Sequence, residues 1–426
     1  MQVRSGLGSP NSSNALSGVL TVEEARRTIL GSISPCEITE IRVGEAAGMV
    51  LAKDQVADHP LPRFDNSAMD GYAVRSEDVA KASESAPIEL EVTGEVRAGS
   101  AGDAAVGDGQ ACRIMTGAPV PPGADAVVPV EDTEEREGRV SIRVAPAVGR
   151  HIRPAGDDLA AGDLLVAAGE ELGAGEIALL ASLGCSPIPV FSAPRVAVLV
   201  TGDELVAPES EVGPGQIRDS NSIALAALVR EAGGEPITFP AVRDDRNATV
   251  EALRRAAEAA DMIVSSGGVA VGRYDFVKEA VEELGRIDLW RVAMQPGKPV
   301  VFGSIEAKPF LGLPGNPVSI HISFEQFVRP AIRKMRGCRT LLRPLIKARL
   351  ASDLKKLAGR QHFVRVRLSR DGYGWLATPT GPQGSHIQSS LVGCDGAAIF
   401  PIDETELKSG EEVSVELWRV PGRETP

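Results

Sequence analysis

The sequence predicts a multidomain chain of the α/β plus β class, in which a doubly wound α/β unit is flanked by β-rich units. The chain has 426 residues, and a single hydrophobic core stops growing at roughly 250–300 residues, so we expect two to four domains. Strand and helix patterns alternate between about residues 193 and 338, which is typical of a parallel sheet with crossover helices. Helix signals vanish after about residue 340.

The composition is that of a folded, soluble chain. Hydrophobic residues make up 43% and charged residues 24%, while 45 glycines and 30 prolines predict many tight turns and glycine-lined loops. A formal net charge of -13 argues against a protein that wraps nucleic acid. No apolar run reaches the roughly 18 residues of a transmembrane helix, so we expect no membrane span and a cytoplasmic location.

The five cysteines are far apart and include no C-x-x-C pair. This spacing indicates neither a disulfide framework nor a thiolate zinc site, and we expect reduced thiols. Residues 1–20 are rich in Gly, Ser and Asn and lack the apolar core of a signal peptide, so they are predicted to be a disordered leader.

The sequence pattern changes twice in the first half of the chain. Helical spacing over 22–33, with Thr21 as N-cap, is followed by short alternating apolar stretches and turns over 61–149. Helical spacing then returns in GEIALLASLG. One interpretation is a discontinuous linker domain of residues 21–60 and 150–192, interrupted by the β-rich inserted domain 61–149.

The α/β unit is predicted over 193–338 and an all-β, barrel-like unit over 339–426. In the first, RVAVLVTG and DMIVSSGG have the continuous apolar character of buried strands. Further strands are expected at 236–242, PVVFGSI and PFLGLPG, and helices at 221–233, 247–260, 275–285 and 317–335.

Four glycine- or proline-rich loops follow strand ends of the α/β unit, at the sheet edge where ligands of such folds bind. They are TGDEL (201–205), SSGGVAVGRYDFVK (265–278), MQPGKPV (294–300) and LPGNPVS (313–319). An acidic pair stands in the first loop, and Asp275 suits a metal ion that bridges a phosphate. Lys298 suits phosphate or an oxyanion, and Asn316-Pro317 is a good helix start. Each loop alone is also explained by an ordinary turn or helix cap, but together they predict a phosphorylated, metal-assisted ligand.

A basic segment lies at 331–370, which holds thirteen Lys and Arg residues and one acid, Asp353. Two interpretations stay open: a solvated basic face, or a basic wall beside an anionic small molecule.

Motifs outside these loops have no meaning alone but occur in a recognisable order. PRFDNSAMDGYAV, RIMTGAPVPPGADAVV and AGDDL precede TGDEL, DSNS, RDD, SSGGVAVGRYDFVK, QPGKP, LPGNPVS and QGSHIQSS. From about residue 21 to the C-terminus the chain resembles the MoeA-type molybdopterin molybdenumtransferases and is similar to the gephyrin E domain.

The resemblance implies an elongated homodimer of four-domain chains with a MogA-like, molybdopterin-binding α/β domain. It implies that adenylylated molybdopterin and molybdate, as substrates, give molybdenum cofactor and AMP with Mg²⁺ as cofactor. A molybdopterin adenylyltransferase and molybdoenzymes are implied as partners.

The resemblance also carries functional residues onto this chain by motif. The catalytic set is Asp65, Thr116, Asp158, Glu204, Asp244, Asp275 and Lys298. Asp244 and Asp275 are implied to hold the metal, Lys298 and Arg365 the phosphate or molybdate, and a second subunit is implied to supply Asp65 and Thr116. The substrate-binding set is Gly202, Ser266, Gly267, Gly268, Gln295, Pro314, Gly315, Asn316, Pro317, Arg365 and Ser385.

One departure concerns the anion-binding loop, where many family members have Lys-Pro-Gly-Lys and this chain has Gln295-Pro-Gly-Lys298. An amide donates hydrogen bonds but has no long-range attraction for an anion. Two alternatives to the transferase stay open: a non-catalytic molybdopterin-binding scaffold, and a nucleotide hydrolase built on a related α/β domain.

Overall fold

The computed structural model describes residues 18–100, 104–269 and 276–422. Asp275 and most of the predicted leader lie outside these residues. Within them, no helix combines the length and the hydrophobicity that crossing a bilayer requires.

The α-helices, in chain order, are α1 (Val22–Gly31), α2 (Ala174–Ser182), α3 (Asn221–Glu231), α4 (Arg246–Ala259), α5 (Phe276–Leu284), α6 (Pro317–Ser323) and α7 (Arg329–Met335). Short 3-10 helices lie at Val43–Glu45, Val130–Asp132 and Gln388–Leu391.

The strands before the α/β sheet are β1 (Ile38–Ile41), β2 (Val50–Leu51), β3 (Gln55–Val56), β4 (Asn66–Ser67), β5 (Gly71–Val74), β6 (Ile88–Val96), β7 (Gln110–Ile114), β8 (Ala126–Pro129), β9 (Thr133–Arg136), β10 (Arg139–Ile142), β11 (Ile152–Arg153), β12 (Leu164–Val166) and β13 (Ile188–Phe191). The next strands are β14 (Arg195–Val200), β15 (Leu205–Val206), β16 (Ile217–Arg218), β17 (Glu235–Thr238), β18 (Met262–Ser266), β19 (Gly285–Trp290), β20 (Met294–Gln295), β21 (Val301–Ile305) and β22 (Lys308–Leu313). The last strands are β23 (Leu345–Leu350), β24 (Leu354–Lys355), β25 (Gln361–Asp371), β26 (Gly374–Pro379), β27 (Gly396–Phe400), β28 (Glu406–Leu407) and β29 (Glu412–Leu417).

Helix α1 begins as its sequence predicts, because Thr21 and Glu24 form a capping box that satisfies two otherwise free backbone N–H groups. Its buried face of Val22, Ala25 and Ile29 joins the core of the α/β unit. The strands around the β-rich insertion join distant parts of the chain. β13 lies between β1 and β2, and β12 pairs with β3, so residues before the insertion are hydrogen-bonded to residues after it. The domain boundaries themselves stay predictions.

The insertion contains a six-stranded sheet in the order β8-β5-β7-β6-β10-β9. Alternate residues of β5 serve different cores, as a period of two requires. Tyr72 and Val74 pack in one buried cluster, while Ala73 packs in another.

The α/β sheet has the order β17-β14-β18-β22-β21-β19, and helices cover both faces. Residues of α3 and α6 pack on one face, and residues of α4 and α5 on the other. Strands β17, β14, β18 and β22 are parallel, as the sequence predicts, but one edge of the sheet is not, because β21 is antiparallel to β22 and β19 is antiparallel to β21. Only Glu306 and Ala307 connect β21 to β22, both at positive φ. That two-residue connection makes a hairpin, whereas a parallel crossover needs a dozen residues or more.

The helix predicted over 317–335 is interrupted by a π-helical turn, Phe324–Val328, between α6 and α7. Pro330 has no N–H to donate to the carbonyl four residues earlier, that of Gln326. Arg26 Nε of α1 donates to this freed carbonyl at 3.3 Å, so the proline also creates a contact between α1 and the π turn.

The C-terminal strands form a closed barrel, as the sequence predicts. The order β25-β26-β23-β29-β27 is closed by pairing of β25 with β27. Strand β20, which begins the Gln-Pro-Gly-Lys loop, pairs with the first two residues of β25, and Gln295 lies opposite His362. This pairing fixes the Gln-Pro-Gly-Lys loop to the barrel.

The cations of the basic segment do not form one surface, since Arg336 and Arg365 are buried whereas Arg339, Lys347, Lys355, Arg360, Arg367 and Arg370 are exposed. Its cations pair with acids of other segments, as in Arg333 and Arg336 with Glu171, Arg343 with Glu325, and Lys347 with Glu412. Several cations of the segment therefore link it to other parts of the chain, and the exposed pairs among them contribute little stability.

Candidate active site: two adjoining cavities

The first cavity lies where three neighbouring parallel strands of the α/β sheet end. Strands β14, β18 and β22 are adjacent, so the loops that follow them meet at the carboxyl edge of the sheet. The cavity has a volume of about 230 Å³ and is lined by Val200, Thr201, Gly202, Glu204, Leu205, Ile217, Asn221, Asp244, Ser266, Gly267, Gly268 and Gly315.

Glycine is required where β18 ends. Gly267 and Gly268 have φ values of 90° and 65°, which side chains rarely adopt. A Cβ on Gly268 would lie 2.5 Å from Val277 Cγ2, and one on Gly267 would lie 2.9 Å from Thr201 Oγ1. Glycines at these two positions let the loop pack closely against Val277 and Thr201 while lining the cavity.

Two of the predicted functional acids, Glu204 and Asp244, line this cavity. The Asp244 N–H donates to Asp203 Oδ1 at 3.3 Å, so the first loop helps to place the second. Carboxylates at a pocket of this kind are suitable ligands for Mg²⁺, which prefers oxygen donors. Among residues 18–100, 104–269 and 276–422 there is no cluster of three potential metal ligands, and the predicted partner Asp275 lies outside them.

The second cavity lies between the α/β unit and the barrel, with a volume of about 370 Å³. Its lining residues are Met294, Gln295, Pro296, Gly297, Lys298, Pro299, Pro314, Asn316, Ser319, Arg360, Gln383, Gly384 and Ser385. Residues 314–316 form a wall shared by the two cavities, because Gly315 lines the first while Pro314 and Asn316 line the second.

Lys298 and Arg360 are the cations of the second cavity. Neither forms an ion pair with an acid in the part of the chain that the structure describes. Two cations held apart from protein carboxylates favour an anion. Sequence reasoning missed Arg360, and its only signal was membership of the basic segment just before a predicted strand.

Arg365 is not among the residues that line the cavity, and its contact with phosphate or molybdate stays a prediction. The side chain is 0% exposed. Its guanidinium donates to Ser390 Oγ and to the carbonyl oxygens of Pro382, Gln383 and Gly384. Burial lowers the pKa of Arg365 to about 10, so it remains charged at neutral pH. Arg365 fixes the backbone of the loop that carries Ser385.

Ser385 and Asn316 are joined across the second cavity. Asn316 Nδ2 donates to Ser385 Oγ at 3.0 Å, and Val318 N donates to the Ser385 carbonyl at 3.1 Å. Asn316 is the N-cap of α6 with Pro317 next, as the sequence predicts, but its side chain makes no cap hydrogen bond. The Asn316 side chain is used for the barrel contact.

Three other predicted catalytic residues gather in the N-terminal part of the chain. Asp65 Oδ1 accepts the Ala155 N–H at 2.7 Å, and Asp158 N donates to the Leu61 carbonyl at 3.0 Å. Thr116 donates from both N and Oγ1 to Asp70 Oδ1, each at 2.7 Å. These bonds lower the pKa of Asp70. None of the predicted three lines either cavity.

The fold and the cavities define a multidomain protein with one cavity at the carboxyl edge of a doubly wound α/β sheet and a second cavity between the α/β unit and a β-barrel. Family models match the chain as MoeA N-terminal region (domain I and II) over 20–184, probable molybdopterin binding domain over 197–334, and MoeA C-terminal region (domain IV) over 347–418.

Curated relatives match most of the chain. It is 39% identical over 401 residues to molybdopterin molybdenumtransferase 2 of Mycobacterium tuberculosis, covering 93% of this chain and 98% of the relative. It is 40% identical over 376 residues to the molybdopterin molybdenumtransferase of Nostoc sp., covering 87% and 86%. A crystal structure of a molybdopterin biosynthesis MoeA protein from Pyrococcus horikoshii superposes with a TM-score of 0.83 at 36% identity, covering 95% of this chain and 100% of that one. The chain belongs to the MoeA family and has a role in molybdenum cofactor biosynthesis.

Proposed function

We propose that this chain inserts molybdate into adenylylated molybdopterin, releasing AMP and giving Mo-molybdopterin. The observation that carries the proposal is the shared wall of residues 314–316 between a carboxylate-lined cavity and a cavity with two cations. A ligand with a phosphate linkage in one cavity would lie beside an oxyanion in the other. Holding two reactants in contact is a large part of the catalysis of such a reaction.

The second cavity has the chemistry of an oxyanion site. Lys298 supplies a point charge and Arg360 a planar set of donors, and the Ser385 hydroxyl lies in the same lining. Gln295 stands where many family members have a lysine. The cavity therefore has one fewer cation than the common pattern, and Lys298 and Arg360 carry its attraction for molybdate.

The first cavity is the proposed pterin and metal region. Asp244, with Asp275, would hold Mg²⁺, and Glu204 faces the same space. Bound there, Mg²⁺ would neutralise charge on phosphate oxygens. Gly268 would let a backbone N–H group approach the ligand, whereas the Gly267 N–H donates to the Leu313 carbonyl.

Asp65, Thr116 and Asp158 enter the proposal through a second copy of the chain. They do not line the cavities of their own chain, so a homodimer would bring them to the site of the other subunit. A molybdopterin adenylyltransferase as donor and molybdoenzymes as acceptors complete the proposed set of partners.

The test is AMP release from adenylylated molybdopterin at fixed Mg²⁺, with and without molybdate. We expect release to depend on molybdate, and Lys298→Ala to raise the molybdate concentration for half-maximal rate about tenfold, as for loss of one charge-assisted contact. Lys347→Ala is the matched control, because Lys347 pairs with Glu412 on the barrel.

Two results would contradict the proposal. Tight pterin binding without AMP release would favour a scaffold. Release of a mononucleotide from a pyridine dinucleotide, with no effect of molybdate, would favour a hydrolase.

A further inference from the structure

Asn221, the first residue of α3, joins two loops that meet at the cavities. Its Nδ2 donates to Ser266 Oγ at 3.2 Å and to the Gly315 carbonyl at 2.9 Å. Ser266 ends β18, and Gly315 is the middle residue of the wall that the two cavities share. One amide therefore ties that wall to the neighbouring strand of the sheet.

The Asn221 side chain does not cap helix α3. The N-cap of α3 is Ser220, which makes no side-chain cap hydrogen bond. The start of α3 is fixed instead by Asp219, which is 8% exposed and accepts hydrogen bonds from the backbone N and the hydroxyl of Ser222. With the backbone held on both sides, Asn221 directs its side chain away from its own helix and onto the two loops.

A second amide continues the connection on the far side of the wall. Asn316 Nδ2 bonds to Ser385 Oγ, and the loop of Ser385 is in turn held by Arg365. The wall is thus attached to β18 through Asn221 and to the barrel through Asn316. A shift of this wall would alter the separation of whatever occupies the two cavities.

We propose that Asn221 is a positioning residue that holds the wall between the cavities. Ligands bound on the two sides of the wall are thereby kept at a fixed distance and orientation. The proposal rests on the proposed function for its catalytic consequence. The structural part of the proposal, that the Asn221 amide holds the wall in place, does not depend on which reaction occurs.

The first test compares Asn221→Asp and Asn221→Ala with wild type. Asp has the same shape but offers only acceptors when ionised, so it cannot donate to Ser266 Oγ or the Gly315 carbonyl. We expect the KM values for pterin nucleotide and molybdate to stay within about threefold, while kcat falls about tenfold or more, because small misplacement of bound reactants mainly slows the reaction. Asn247→Ala is the matched control, because Asn247 is an exposed residue in the first turn of α4.

The second test does not need turnover. Hydrogen exchange should speed up about tenfold or more in Asn221→Asp at the backbone amides of Gly267 and Val318, which donate to the Leu313 and Ser385 carbonyls on the two sides of the wall. It should remain unchanged in Asn247→Ala, because only a released loop opens more often. Unchanged exchange would overturn the inference even if activity fell. Wild-type kcat in Asn221→Asp would overturn it as well, as would an activity loss explained by global unfolding.

The two proposals fail separately. If the wild-type chain releases no AMP in response to molybdate, the proposed function is wrong, and the exchange measurement still decides the role of Asn221.

Discussion

Arg360 and Arg365 lie close together in the chain, yet Arg360 lines the second cavity and Arg365 is wholly buried behind it. Arg365 donates to the carbonyl oxygens of the loop that carries Ser385. One arginine is thus available to a bound anion, while the other shapes the cavity that binds it. Because Arg360 is available to an anion and Arg365 supports the loop, substitutions at the two positions should have different effects.

Arg360→Ala should weaken molybdate binding about tenfold or more, because it removes one of two cations and a charge-assisted donor. Arg360→Lys should retain part of the affinity, since it keeps the charge but loses the planar arrangement of donors. Isothermal titration with molybdate measures the effect. Arg367→Ala is the control, because Arg367 is exposed and bonds to the Val392 carbonyl. Equal affinities in the two alanine variants would contradict an anion contact by Arg360.

Arg365→Met should lower the free energy of unfolding by about 3 kcal/mol, because several buried acceptors lose their donor together. Urea denaturation measures this loss. The same variant should also weaken molybdate binding, since the Ser385 loop loses its support. Weakened binding at wild-type stability would instead indicate that Arg365 contacts the anion directly.

His362 should make stability fall in mild acid. The pKa of His362 is lowered from 6.5 to about 4, mainly by burial and further by the charges of Arg365 and Lys356. The folded state then keeps His362 neutral between pH 4 and 6.5, while the unfolded state takes up a proton. Stability therefore rises with pH across this window and is lost as pH falls, by up to about 3 kcal/mol.

His362→Gln should flatten that dependence, measured as the difference in unfolding free energy between pH 5 and pH 7. Glu416 acts in the opposite direction, because burial raises its pKa, but its contribution is common to both proteins and cancels. The same pH dependence in both proteins would show that His362 is not responsible.

Asp70→Asn should lower turnover about as much as Thr116→Val, because Asp70 is the acceptor that orients the Thr116 hydroxyl. Both residues are exposed, so we expect little change in the melting temperature. The kcat of molybdate-dependent AMP release is the measurement. Glu131→Gln, on a nearby exposed turn, controls for loss of surface charge. Full activity in Asp70→Asn would mean that Thr116 acts without this orientation.

The sequence alone predicted most strands and helices of the α/β unit and the all-β character of the barrel, because buried strands and helices have different hydrophobic periods. It missed the edge strand β19. It also predicted that the loops after β14, β18 and β22 meet at the carboxyl edge of the sheet. The fourth loop, 294–300, lies instead against the barrel, because β20 pairs with β25. It did not predict the antiparallel edge, where the two-residue connection through Glu306 and Ala307 overrides the alternation of strands and helices. Nor did it predict the π turn at Phe324–Val328, where the Gln326 carbonyl accepts a hydrogen bond from Arg26, a residue far away along the chain.

Tertiary structure alone decided which side chains serve the cavities. Arg360 and Arg365 are both arginines of one basic segment, and only the barrel's closure buries one and leaves the other exposed. Asn221 lies in a helix start that sequence spacing explains as ordinary, and its role depends on two loops that meet only when β18 and β22 pair. Local patterns fix secondary structure through nearby contacts, whereas the direction and partners of a side chain depend on segments that are distant in sequence.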